Sequence, residues 1–135
     1  MIAAEPFFDS NVILYLISDD RSKAQRAEDL LAEGGIVSVQ VLNEIAFVAL
    51  RKKRVGWKAV RELLSTVRDV CRVEPVSLAI HEHGLDIAER YGFAPFDSMI
   101  VAAAVEAGCA TLFSEDMHHG QRIEGTTIKN PFVAR

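Results

Sequence analysis

Four carboxylates in this 135-residue chain stand where apolar runs give way to helices or loops. Asp9 follows an apolar run, Glu44 lies inside an apolar helix, Asp97 opens a helix after a loop, and Asp116 comes three residues past another apolar run. Taken singly, three of them have an ordinary explanation. Asp before an apolar helix is a common N-cap worth about 1 kcal/mol, which serves for Asp9 and Asp97, and Asp116 fits the same role for residues 117–120. Glu44 resists that account, because Leu42, Ile45, Ala46 and Phe47 flank it and a carboxylate is costly to bury without a cation or hydrogen-bond partner. Capping does not explain four acids gathered at one strand edge. Gathered acids repel, so one must hold a proton or a cation must neutralise them. With no Cys or His at ligand spacing among them, an oxygen-only set selects a hard ion, Mg2+ or Mn2+, over Zn2+. Such an ion suits phosphodiester hydrolysis: it polarises the phosphate, activates a water and stabilises the leaving oxygen.

The elements that must bring these acids together are legible from apolar periodicity and punctuation. Residues 2–8 read as a short strand that runs into the helix-start signal Asp9-Ser10-Asn11, and 12–17 as a short apolar helix. Asp19-Asp20 caps a helix with Ala24, Ala27, Leu30 and Leu31 on one face, which Gly34-Gly35 stops. A buried strand is expected at 36–39. The helix after it carries Val41, Leu42, Ile45, Val48 and Ala49 on one side, with Glu44 about a turn and a half from its start. Another helix is expected over 57–70, a strand broken by Pro75 over 73–76, a helix over 78–91, and a small-residue helix from Phe96 to Gly108. Strands at 111–113 and 126–129 complete the pattern. Alternating strands and helices predict an α/β fold, a three-layer α/β/α sandwich around a mainly parallel sheet, with 1–135 as one domain. In such a sheet the carboxyl ends of the strands share one edge, where ligands bind.

Net charge is −4, yet eight of the 15 Lys and Arg fall between Arg51 and Arg72, opposed only by Glu62 and Asp69. The run Arg51, Lys52, Lys53, Arg54 suits a polyanion such as RNA; the alternative is a solvated helix end. His118 and His119 read as surface or capping residues rather than ligands. Trp57, the sole tryptophan, either stacks on a base or anchors its helix in the core. Cys71 and Cys109 form no C-x-x-C pair and read as reduced core residues of a cytoplasmic protein. The apolar stretches fall short of the roughly 18 residues of a membrane span, and the first residues lack a secretory pattern.

The motifs Phe-Phe-Asp9-Ser-Asn-Val-Ile-Leu-Tyr, Asn43-Glu44, Pro95-Phe-Asp97-Ser-Met-Ile-Val, Leu112-Phe-Ser-Glu-Asp116-Met-His-His-Gly and Asn130-Pro-Phe occur in order along nearly the whole chain. Together they resemble a PIN-domain ribonuclease, specifically a VapC-like toxin. The resemblance implies a Mg2+- or Mn2+-dependent endoribonuclease, a toxin held inactive by a small antitoxin protein, and a homodimer. It also implies that Asp9, Asp97 and Asp116 are the main metal ligands, directly or through water. Glu44 would complete the set and help position or deprotonate the attacking water, with Asn11 and Ser114 in support. Glu115, beside Asp116, leaves open which acid of the pair works. Two other classes stand against the metal nuclease: a metal-independent ribonuclease using His118 or His119 as acid and base, and a non-catalytic metal-containing domain that binds RNA or protein.

Overall fold

Two phenylalanines form the centre of the sheet. In the computed structural model, which describes residues 5–133, β1 is Phe7–Phe8 and both rings are fully buried. A parallel strand covered on both faces requires this. β1 pairs in parallel with β2 (Gly35–Ser38) on one side and with β4 (Thr111–Phe113) on the other. β3 (Cys71–Glu74) extends the sheet beyond β2, and β6 (Thr126–Lys129) extends it beyond β4, both again in parallel. β5 (Arg122–Ile123) closes that end antiparallel to β6, so the order is β3-β2-β1-β4-β6-β5.

The chain first steps outward from β1 to β2 to β3. It does so through α1 (Ser10–Ile13), a 3-10 turn (Leu14–Ile17), α2 (Arg21–Ala32), α3 (Val39–Arg51) and α4 (Trp57–Val70). It then crosses back to β4 through α5 (Leu78–Tyr91) and α6 (Pro95–Glu106). Right-handed crossovers made in opposite directions place their helices on opposite faces. Accordingly α3 packs on α1 and α4, while α5 packs along α6, which lies on β2, β4 and β6. The result is the expected three-layer α/β/α sandwich. Strand order reverses between β1 and β4, and the crevice at that reversal is the natural ligand site of such a sheet.

The helices at 57–70 and 78–91 lie where periodicity puts them. The expected strand at 2–8 shrinks to two residues; residues 2–4 lie outside the described ones, and Glu5 and Pro6 are not strand. The strand expected at 73–76 begins earlier, at Cys71, and ends before Pro75, whose missing N–H cannot join a ladder. Helix 12–17 divides into α1 and the 3-10 turn. β5 has no counterpart in the sequence reading. Its two-residue turn, Glu124-Gly125, has positive φ at both positions, and Glu-Gly is a weak version of the usual Asn-Gly signal.

Residues 98–104 of α6 are buried without a break. A helix apolar all round can do this only when enclosed, and its alanines let it lie close to the sheet. Gly35 serves a similar need between β1 and β2: a Cβ there would run into the Phe8 ring and stand 2.7 Å from the Pro6 carbonyl oxygen. Gly35→Ala is expected to lower stability by about 2 kcal/mol or more through overpacking. Urea unfolding checks this, and an unchanged midpoint refutes the close approach.

Candidate active site

Asp9 ends β1 and caps α1 at once. Its N–H donates to the Phe113 carbonyl (2.9 Å), continuing the β1–β4 pairing by one residue. Its carboxylate, 4% exposed, accepts from the Ser10 backbone N–H (2.7 Å), the Ser114 hydroxyl (2.8 Å) and Asn11 Nδ2 (3.3 Å). The capping role expected as an alternative for Asp9 is therefore real.

Neutral side chains tie Asp9 to two more of the acids. The Ser10 hydroxyl lies 3.4 Å from Asp9 Oδ1 and donates to Glu44 Oε1 at 3.0 Å. Asn11 Nδ2 reaches Asp116 Oδ2 at 3.1 Å and Ser114 Oγ at 3.3 Å, while Asn11 Oδ1 accepts the Glu115 N–H at 3.1 Å and so fixes which way the amide faces. Gln40, one turn before Glu44 on α3, donates to Glu44 Oε2 (3.0 Å) and to the Phe96 carbonyl (2.9 Å). That second bond ties α3 to the first turn of α6.

Asp97 stands in that first turn. The N-cap position belongs to Ala94, with Pro95 at the helix start, so the capping alternative for Asp97 does not hold. Its carboxylate makes no side-chain hydrogen bond among the described residues. Burial holds its pKa above the ordinary value, and Glu44 and Asp116 add to the effect. Asp116 caps no helix either, since 117–120 form bends and turns.

Burial is also the largest influence on Asp9, whose pKa is pushed up to about 6. The Ser114 and Ser10 hydrogen bonds oppose the rise, and the charges of Glu44 and Asp97 add to it. No Lys or Arg pairs with any of the four acids among the described residues. The donor set is thus all oxygen, partly desolvated and uncompensated, which fits a hard divalent cation. Among the described residues no three such side chains stand as a ready-made ligand group.

Glu115 belongs elsewhere. Its carboxylate receives Lys23 Nζ at 2.6 Å and the Tyr15 hydroxyl, and the Lys23 ammonium lies over the Tyr15 and Phe132 rings. A neutralised carboxylate in an aromatic box is poorly placed to hold a metal. Asp116, which Asn11 faces, is the acid of that pair turned toward the others.

The family model described as PIN domain matches residues 7–121. The chain belongs to the PIN-domain family. No curated protein matches its sequence. Among solved structures, the PIN chain resembles Mycobacterium tuberculosis VapC20, described as a sarcin-ricin loop cleaving toxin. The identity is 21%, over 82% of this chain and 91% of that one, with a TM-score of 0.67. A toxin–antitoxin complex from Klebsiella pneumoniae matches at 20% identity over 94% and 98%, TM-score 0.71. DNA-bound VapBC from Salmonella typhimurium matches at 19% over 96% and 99%, TM-score 0.66.

Arg51, Lys52, Lys53 and Arg54 are all exposed; Arg51 sits in the last turn of α3, where its charge suits the helix dipole, and Arg54 takes a left-handed φ of 53°. Lys53 alone of the four opens on the cleft that Asn11, Tyr15, Glu115 and Asp116 line. Trp57 is 64% exposed at the start of α4, so of its two expected roles the core anchor does not hold: position 57 faces outward while Val60, Leu63 and Val67 take the buried face. His119 Nδ1 accepts the Asn130 N–H at 2.9 Å, a capping role, and His118 is exposed. Cys71 and Cys109 are buried thiols whose pKa burial pushes up to about 11. No helix among the described residues is long and apolar enough to cross a membrane. Ser10 and Gln40 were not singled out by sequence. Ser10 was hidden inside a helix-start signal, whereas Gln40 sits four residues before Glu44, a spacing that puts both on one helix face.

Because Asp9 binds its proton more tightly folded than unfolded, stability is present at low pH and lost as pH rises from about 4 to about 6. In EDTA, unfolding of the wild type should lose about 3 kcal/mol relative to Asp9→Asn across that window. Parallel pH profiles of the two proteins would contradict the assignment. Mg2+ at neutral pH should raise the unfolding midpoint of the wild type with metal concentration and leave Asp9→Asn nearly unmoved.

Proposed function

We propose that this PIN domain is a divalent-metal-dependent endoribonuclease and the toxin of a toxin–antitoxin pair. The observation that carries the reading is the buried, unpaired Asp9 carboxylate. Neutral donors join it to Glu44 and Asp116 at the strand-order reversal of a PIN-domain sheet. The likeness in fold to VapC20 and to toxin–antitoxin complexes supports the toxin role and the antitoxin partner. A homodimer and a cytoplasmic setting are part of the same proposal.

Asp9, Asp97 and Asp116 would hold Mg2+ or Mn2+, directly or through water, with Glu44 completing the set. The ion, when bound, supplies Lewis acidity to the phosphate and offsets the charge of the acids. Ser10 keeps Glu44 beside Asp9, and Gln40 holds its other oxygen, so the Glu44 carboxylate has a fixed direction from which to accept a proton from the attacking water. Asn11 and Ser114 orient Asp9 and Asp116 without adding charge. The exposed basic run Arg51, Lys52, Lys53 and Arg54 would draw the RNA backbone to this edge.

Purified, antitoxin-free protein should cleave structured cellular RNA in Mg2+ or Mn2+, leave 5′-phosphate ends, and stop in EDTA. Asp97→Asn should reduce the rate by about a hundredfold or more. Cleavage that survives EDTA and leaves cyclic-phosphate ends would instead assign the chemistry to His118 or His119. Metal binding without cleavage of any RNA would favour the non-catalytic reading. Within the Glu115-Asp116 pair, Asp116→Asn should impair cleavage with little effect on melting, while Glu115→Gln should lower the melting temperature. The reverse pattern would transfer the metal role to Glu115.

A further inference from the structure

A second cleft opens at the same sheet edge, on the far side of the strand end that carries Ser114 and Asp116. It measures about 470 Å3 and lies among Arg26 of α2, Phe113 at the end of β4, Lys129 at the end of β6, His119, and the segment from Asn130 to Val133. No acid lines it, in contrast to the cleft at Lys53, which shares Glu115 and Asp116. The donors converging there are of one kind. Arg26 Nε is spent on the Pro131 carbonyl at 3.1 Å, which sets the guanidinium in place, and among the described residues neither Arg26 nor Lys129 has an acidic partner. His119 accepts the Asn130 N–H on Nδ1, so its ring proton is on Nε2 and that nitrogen is a donor. Phe113, Pro131 and Val133 supply an apolar wall.

We propose that this cleft is a nucleotide subsite. Arg26, Lys129 and His119 Nε2 take a backbone phosphate of the RNA strand outside the scissile bond, and the Phe113–Pro131 wall takes its ribose or base. The inference rests on the ribonuclease reading above. Guanidinium, ammonium and imidazole N–H match a phosphate's several acceptor oxygens, and an apolar wall beside them matches a nucleotide better than an acidic peptide side chain. Continuity favours RNA as well: Phe113 is joined through Ser114 to the acid group, so a strand lying across Asp9 and Asp116 runs on into the cleft. The basic residues near Lys53 then flank the acids on one side and this cleft on the other. Such an arrangement binds a chain that passes through the site.

Binding of a short, fluorescein-labelled, single-stranded RNA of mixed sequence tests this in the full chain with Mg2+, in an Asp97→Asn background that prevents turnover. Lys129→Gln and Arg26→Gln should each weaken binding about tenfold, the loss of one charge-assisted contact, and each should lower the salt slope by about one. Arg68→Gln is the control, because α4 ends next to the amino end of β3, at the opposite edge of the sheet. Lys129 is exposed, so its variant should melt as the parent does, which separates lost contact from lost fold. Parental affinity and salt slope in both variants would overturn the subsite. So would loss of binding to poly-glutamate but not to RNA, which would reassign the cleft to an acidic protein. Failure of the ribonuclease reading shows separately, as absence of metal-dependent cleavage by the chain with Asp97 intact.

Discussion

Burying the Asp9 carboxylate with no basic partner among the described residues is the constraint on which the rest of this structure depends. The residue cannot retreat to solvent, because its N–H continues the β1–β4 pairing and β1 is a two-residue strand enclosed on both faces. Desolvation and the nearby charges of Glu44 and Asp97 all favour its protonated form. Among the described residues the fold answers with hydrogen bonds from neutral groups, the Ser10 N–H, Ser114 and Asn11, and not with a lysine or arginine. A basic partner would stabilise the resting protein more and leave no charge for an ion to offset. Stability is thereby given up at the place where the proposed chemistry needs an unsatisfied carboxylate.

The Glu115-Asp116 pair shows how neighbouring identical charges are separated by what lies on each side of a strand end. Glu115 turns toward α2 and the C-terminal segment, where Lys23, Tyr15 and Phe132 close around it. Its backbone N–H meanwhile holds Asn11 Oδ1, so the amide is forced to present Nδ2 to Asp9 and Asp116. One acid is thus neutralised in order to anchor the loop. The other stays exposed beside the cluster.

Much of this was legible in the sequence, for reasons that differ between elements. The helices at 57–70 and 78–91 have long apolar periodicities that end in clear signals, a strand in one case and Gly92 in a left-handed conformation in the other. Asp9 and Asp116 stood out because each follows a strand, Asp97 because it opens a helix, and Glu44 because a carboxylate among the apolar residues of a helix is costly to bury. Strand limits were harder to read. β1 and β5 are two residues each, and their extent is decided by pairing partners far away in the chain, not by local pattern. Ser10 and Gln40 were invisible as functional candidates because hydroxyls and amides are common at helix starts and on helix faces. Only the tertiary approach of α3 to α1 gives Ser10 the Glu44 carboxylate to hold, whereas Gln40 meets Glu44 within its own helix and the Phe96 carbonyl across to α6. Trp57 misled for a related reason: a large aromatic at the start of an amphipathic helix belongs to the core only when its phase agrees with Val60, Leu63 and Val67, and it does not.

A net charge of −4 sits poorly with the proposed RNA substrate, and the resolution is spatial. Attraction between fixed charges in physiological salt is screened beyond about 8 Å, so an RNA strand at the sheet edge responds to the residues lining its path and hardly to the sum over the chain. Along the proposed path the acids would occupy a short central stretch, between the cleft that Lys53 lines and the one that Arg26 and Lys129 line. In the proposed reading the central acids would repel a phosphate until a bound divalent ion offset their charge. In the proposed enzyme, metal occupancy would therefore control productive seating of the RNA as well as its cleavage, while the flanking cations keep the strand near in either case.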